Sequence, residues 1–211
     1  MITWFIIGGT VLVSYLAFQN YSLVEKLQFN AAKIIQGKEY YRLVSHAFIH
    51  ANWTHLFVNM LTLYFFAGPV INTLGLVPFL VIYFASLLAG NILSYSFHQN
   101  EYHYSAIGAS GAVSGIVFCY VLLYPSSNLY LFFAIPIKAW IFGILYLVYS
   151  IYGMRKQLGN IGHDAHFGGA VAGYGLTVLF EPQLLQTRTD ILLLMAIPIV
   201  ALFILIKQKR I

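Results

Sequence analysis

The chain has 211 residues, of which 60% are hydrophobic, 17% aromatic and only 8% charged, with a formal net charge of +5 and a mean hydropathy of +0.79. Soluble domains carry roughly 25% charged residues, so this composition excludes a water-soluble globule and predicts an all-α polytopic membrane protein. The basic residues flank apolar segments and form no cluster away from them, which argues against a nucleic-acid partner and for the lipid bilayer. The single cysteine, Cys119, lies inside an apolar segment. It allows no intramolecular disulfide and reads as a small buried hydrophobe.

Windows of about 20 apolar residues mark membrane spans, and they fall near 2–18, 53–70, 77–95, 110–124, 131–152, 164–180 and 190–206. Seven spans with short loops predict one membrane domain over 1–211. The first span lacks a basic leader and a small-residue cleavage site, so it is expected to stay attached as a helix. The longest connection, from Gln19 to Asn52, intersperses Phe29, Ile34, Ile35, Tyr40, Tyr41 and Leu43 among its charges. That mixture predicts a segment folded on the membrane surface rather than a linker.

Near the start of the second span, HANWTHLFVNM places His55 and Asn59 four residues apart, on one helical face. The fourth span opens with SAIGASGAVSG, where Ser110 stands at the helix start, and the sixth opens with GHDAHFGGAVAG, where His166 does. Successive spans alternate direction, so the starts of spans two, four and six lie on one side of the membrane. Four polar side chains from three helices therefore converge at one depth. Gly111 and Gly115, and again Gly169 and Gly173, are spaced to let helix backbones approach closely. Close approach is what a hydroxyl and an imidazole need to come within about 3 Å of each other.

Such a set has the parts of a serine hydrolase. Ser110 with His166 supplies nucleophile and base, while His55, Asn59 and the Ser110 backbone N–H can face an oxyanion. Asp164 lies two positions before His166, about 200° around the helix, and points away. Glu101 sits in a loop, so the expectation is a dyad. Ser114, one turn below Ser110, is a rival nucleophile. Ser110 is preferred because a helix start presents free N–H groups to an anion. A different reading takes His46, His50, His55, His163, Asp164 and His166 as a metal site, in a metal-dependent membrane enzyme or a divalent-metal transporter. It leaves Asn59 and Ser110 without a role.

These residues resemble the rhomboid intramembrane serine proteases. The resemblance rests on GASG from Gly108 to Gly111, on HAFIHANWTHLFVN from His46 to Asn59, and on AHFGGAVAG containing His166, Gly169 and Gly173. It covers about 39–180 and implies a six-helix core, to which the span near 190–206 adds a seventh helix. It further implies Ser110 as nucleophile, His166 as general base, His55 and Asn59 in the oxyanion hole, and His50, Gly108, Gly111, Gly169 and Gly173 in support. Transmembrane segments of other proteins are the implied substrates, with no metal or cofactor, and the implied location is the inner membrane of a bacterium. Substrate access is expected between the second and fifth spans, with Phe132, Phe133 and Trp140 as gate residues. Two positions depart from the family. Tyr41-Arg42 stands where members often have Trp-Arg, and Ser114 stands where some members carry an aromatic stacked on the catalytic histidine. Nothing in the residues specifies an oligomeric state.

Nine of the 11 basic residues lie on the face of the first loop, and only Lys138 and Arg188 lie toward the other. By charge alone that face is cytoplasmic. The resemblance implies the opposite orientation in a bacterium, and the expectation follows the resemblance.

Overall fold

The computed structural model describes residues 1–131, 134–159 and 161–208. Seven long helices carry the fold: α1 (Ile2–Phe18), α2 (Trp53–Leu74), α3 (Leu76–His98), α4 (Ser110–Leu123), α5 (Ala139–Lys156), α6 (His163–Phe180) and α7 (Thr189–Lys207). Of these, α2, α3 and α7 are long and apolar enough to cross a membrane unaided, while α1 and α4 are shorter apolar helices. Six of the seven expected spans match these helices closely. The fifth does not. Its expected start at 131 falls in a hairpin of two strands, β3 (Asn128–Leu131) and β4 (Ile135–Lys138), paired antiparallel. Pro136 explains the shift, because proline has no N–H to give a helix interior and pushes the preceding residue into extended backbone. Helix α5 therefore starts at Ala139, and Phe132 and Phe133 lie outside the described residues.

Gln19 to Asn52 is folded, as its aromatics predict. It contains short helices at Tyr21–Leu27, Ala31–Ile35 and Arg42–Ser45, the first two capped by the side chains of Asn20 and Asn30. Between the first two lies β1 (Phe29–Asn30), which pairs with β2 (Ser105–Ala106) in the loop between α3 and α4. That pairing puts both loops on one face. The guanidinium of buried Arg42 donates to the carbonyls of Glu25 and Gln28, both at 2.8 Å, and pairs with Glu39 at 2.7 Å.

Helix α4 is the centre of the bundle. It has 14 residues, about 21 Å at 1.5 Å per residue, against a hydrocarbon layer of about 30 Å. Every residue from Gly111 to Cys119 is buried, so α4 is wrapped by its neighbours and need not reach both surfaces. Against it lie α3 and α6, joined at glycines. A Cβ on Gly169 would overlap the Gly111 carbonyl, one on Gly173 the Gly115 carbonyl, and one on Gly168 would come within 2.8 Å of the Ala89 carbonyl. These are backbone-to-backbone contacts, and backbone cannot step aside.

Gly169→Ala should thus lower the melting temperature of the detergent-purified protein, by an amount equivalent to the 1–3 kcal/mol or so typical of overpacking. Gly175→Ala, on the same helix with nothing within 4 Å of an added Cβ, should be neutral or slightly stabilising. Equal effects of the two would show that the seam is not tight.

Candidate active site

Ser110 is the first residue of α4, and the loop before it is held at consecutive amides. Gly108 N–H donates to the His46 carbonyl at 2.9 Å, and Ala109 N–H to His50 Nε2 at 3.4 Å. His50 is fixed in turn by α1. The Ser14 hydroxyl donates to the Phe48 carbonyl at 2.9 Å and lies 3.0 Å from His50 Nδ1. With its proton on Phe48, Ser14 can only accept from Nδ1–H, which leaves Nε2 as the acceptor that Ala109 meets. No side chain caps α4, so the Ser110 N–H stays free at a helix start, where an anion is favoured.

The His55 ring sits over Gly108 and meets His50 edge to face, with ring centroids 4.8 Å apart. Gly108 is needed there twice over. Its φ of +115° suits glycine, and an added Cβ would come within 2.7 Å of His55 Cε1. His55 Nδ1 accepts from Ala51 N–H at 3.4 Å, which leaves the ring proton on Nε2, beside Gly108. Asn59, buried one turn below, donates one amide hydrogen to the His55 carbonyl at 2.9 Å and keeps the other.

His166 stands in the first turn of α6, next to the point where Ala165 and Gly169 meet Gly111 of α4. Its ring lies near that of Tyr146 on α5, at 6.3 Å between centroids and 25° between planes. Among the described residues, neither Ser110 Oγ nor the His166 ring makes a side-chain hydrogen bond. The seam brings their backbones together without joining serine to histidine.

The carboxylates go elsewhere. Buried Asp164 lies 3.2 Å from His98 Nε2 and Glu101 lies 3.0 Å from His98 Nδ1, with Tyr104 stacked on the His98 ring at 3.7 Å. Asp164 faces away from His166, as its helical phase predicts. Among the described residues, no three His, Cys, Asp or Glu side chains gather as metal ligands. Ser114 donates to the Ser110 carbonyl at 2.7 Å. Three groups near the site enter only with the structure: Ser14, Tyr146 and His98 with its two carboxylates. A serine in the apolar first span was a usable signal for Ser14. Tyr146 is one of 16 tyrosines and carries no local mark.

Two histidines next to α2 are buried without a charge partner. Burial holds His46 well below the ordinary histidine range, at about 4, and burial with His55 and His46 nearby holds His50 at about 3. Both are neutral in the folded protein at neutral pH. An unfolded histidine binds its proton near pH 6.5, so below that pH the unfolded chain takes up more protons and folding stability falls. The melting temperature should therefore drop as pH is lowered from 7 toward 4. His46→Asn should flatten that dependence, whatever it does to stability at pH 7, and an unchanged slope would mean that His46 titrates normally.

The sequence model of the rhomboid domain matches residues 37–183. RHOMBOID-like protein 12, mitochondrial, of Arabidopsis thaliana is 27% identical over 180 residues, covering 78% of this chain and 53% of that protein. Rhomboid protein 1, mitochondrial, of Saccharomyces cerevisiae is 29% identical over 74% of this chain and 44% of its own length. Rhomboid protease GluP of Bacillus subtilis is 31% identical over 67% of this chain and 26% of its own. The chain spans about half the length of the first two. These names include mitochondrial and bacterial proteins, so they do not select the bacterial inner membrane expected from the sequence.

Proposed function

Because the chain belongs to the rhomboid family and is an integral, multi-pass membrane protein, we propose that it is an intramembrane serine endopeptidase that cuts transmembrane segments of other proteins. The observation that carries this reading is the uncapped start of α4, where Ser110 lies beside the glycine contact with the first turn of α6. In this proposal His166 takes the Ser110 proton as Oγ attacks the substrate carbonyl. The oxyanion is met by the Ser110 N–H, His55 Nε2–H and the free Asn59 amide hydrogen. His166 then protonates the leaving amine, and water admitted from the loop face hydrolyses the acyl-enzyme. In this proposal the dyad closes when substrate binds, as hydrogen bonds at such sites often tighten only in the bound complex.

Substrate must unwind before it can be cut, because a helix hides its carbonyls and lipid offers nothing to freed backbone groups. Helices with Gly, Pro or polar residues near their outer end should be preferred, with a small residue at the cut. Lateral access between α2 and α5 is supported by their arrangement, since both flank α4 without packing closely on each other. Trp140, in the first turn of α5, remains the gate residue within the described chain.

Ser110→Ala and His166→Ala should each abolish fluorophosphonate labelling and cleavage of a model transmembrane substrate while the protein stays folded. Loss on Ser114→Ala with Ser110→Ala still active would move the nucleophile by one turn. Chelation that stops the reaction until metal is restored would favour the metal reading instead.

Asn59→Ala and His55→Ala should each slow cleavage by the 10²–10³-fold or so lost with one oxyanion donor, about 2.7–4 kcal/mol. Complete loss at His55 with folding intact would assign it the base.

A further inference from the structure

The His166 ring makes no hydrogen bond among the described residues, yet a general base must present its ring at a defined angle. Position 114, one turn after Ser110 on the same face of α4, is only a serine and cannot cover that ring. The ring that lies nearest parallel to His166 comes from a different helix. Tyr146 of α5 sits 6.3 Å from it between centroids, 25° from parallel, within the range of offset aromatic pairs. Its hydroxyl is 2.6 Å from Ser114 Oγ. Ser114 already donates to the Ser110 carbonyl at 2.7 Å, so Tyr146 must be the donor between the two hydroxyls. Among the described residues this is the one side-chain hydrogen bond between α4 and α5. Phe118 of α4 and Phe142 of α5 flank the Tyr146 ring at 5.6 and 5.8 Å and limit its rotation.

We propose that Tyr146 is the positioning residue for His166, held in place by Ser114, so that the ring supporting the base is supplied by α5 and latched to the turn that carries the nucleophile. The relay runs from the Tyr146 hydroxyl through Ser114 to the Ser110 carbonyl, with the Tyr146 ring against His166. Serine at 114 then has a reason. It is small enough to leave room for the Tyr146 ring and polar enough to hold the hydroxyl. Helix α5 is also linked to the state of the dyad, because movement of α5 away from α4 breaks the latch and withdraws the ring from the base.

This inference rests on Ser110 and His166 being the dyad, and the test separates the two. Full-length protein in detergent is assayed for fluorophosphonate labelling and for kcat and KM on a transmembrane substrate, with Ser110→Ala as reference. Tyr146→Leu should lower kcat by about tenfold or more with KM changed by less than about threefold. Tyr146→Phe keeps the ring and should recover most of that loss. Ser114→Ala should match Tyr146→Phe, and the double variant Ser114→Ala with Tyr146→Phe should be no slower than either single one, because both cut the same latch. Melting temperatures of Tyr146→Phe and Ser114→Ala close to that of the parent would show that the rate changes are not unfolding. The proposal is overturned if Tyr146→Leu keeps kcat within about twofold, if Tyr146→Phe is as slow as Tyr146→Leu, or if the two latch variants multiply. Labelling that survives Ser110→Ala would instead remove the dyad beneath it.

Discussion

Everything at the candidate site depends on two helix backbones touching. Side chains of ordinary size hold helix axes 8–10 Å apart, too far for the first turns of α4 and α6 to share a reaction centre. Glycine at 111, 115, 169 and 173 removes that spacer. Lipid gives no hydrophobic drive for helices to associate, so close van der Waals packing at small residues is also what holds them. The same contact that brings Ser110 to the first turn of α6 thus stabilises the bundle, and stability and chemistry cannot be altered separately there. It also explains why α4 is so short. A helix enclosed by its neighbours need not span the bilayer, and its start can lie below the surface where the loops close over it.

Around this contact the polar groups are arranged so that the loop face does not collapse into lipid. The amides of Gly108 and Ala109 are taken by His46 and His50, and His50 is fixed from α1 by Ser14. Among the described residues the Ser110 N–H at the uncapped start of α4 is left without a partner, and the His55 ring lies over Gly108 two residues before it. A hydrolase needs such unsatisfied donors, and each has a cost in a buried setting. The glycine seam and the folded first loop supply the stability that offsets it. On the far side, α7 braces α5 through Met195, which packs on Gly143. The Tyr174 hydroxyl ties α6 to the Leu192 carbonyl of α7 at 3.1 Å. The helix outside the six-helix core therefore bears on both α5 and α6.

Six of the seven spans were legible because an apolar window reports burial in lipid directly. The fifth was not, since Ile135 to Ile137 are as apolar as a helix, and only Pro136 marks the hairpin. Ser110, His55 and His166 could be placed from the sequence because each stands in the first turn of a helix, with Asn59 one turn after His55, positions that the alternation of spans puts on one side. The contact of Ser14 with His50 and the nearness of the Tyr146 ring to His166 were hidden, because both partners reach across from helices distant in sequence. Periodicity shows which face a residue occupies and says nothing of which helix it meets. Asp164 is instructive in the other direction. Its phase excluded it from a triad, and His98 is where the phase sends it.

Arg42 bears on the conflict between the charge count and the orientation implied by the family. Its guanidinium is buried and bonded to Glu39 and to the Glu25 and Gln28 carbonyls. The Tyr41 hydroxyl donates to the same carboxylate at 2.8 Å and, with Arg42, holds Glu39 below the usual carboxylate range. Arg42 therefore serves as a cross-link of the loop, and its charge is neutralised where it lies. The positive-inside rule counts Lys and Arg in short loops near span ends. A cation consumed by its own loop drops out of the count in the folded state, and Tyr41 keeps the aromatic beside it, with the guanidinium 5.4 Å from the ring centre. Part of the basic excess on this face thus serves to fold the cover over the site, and with Arg42 set aside eight basic residues on this face still stand against two on the other.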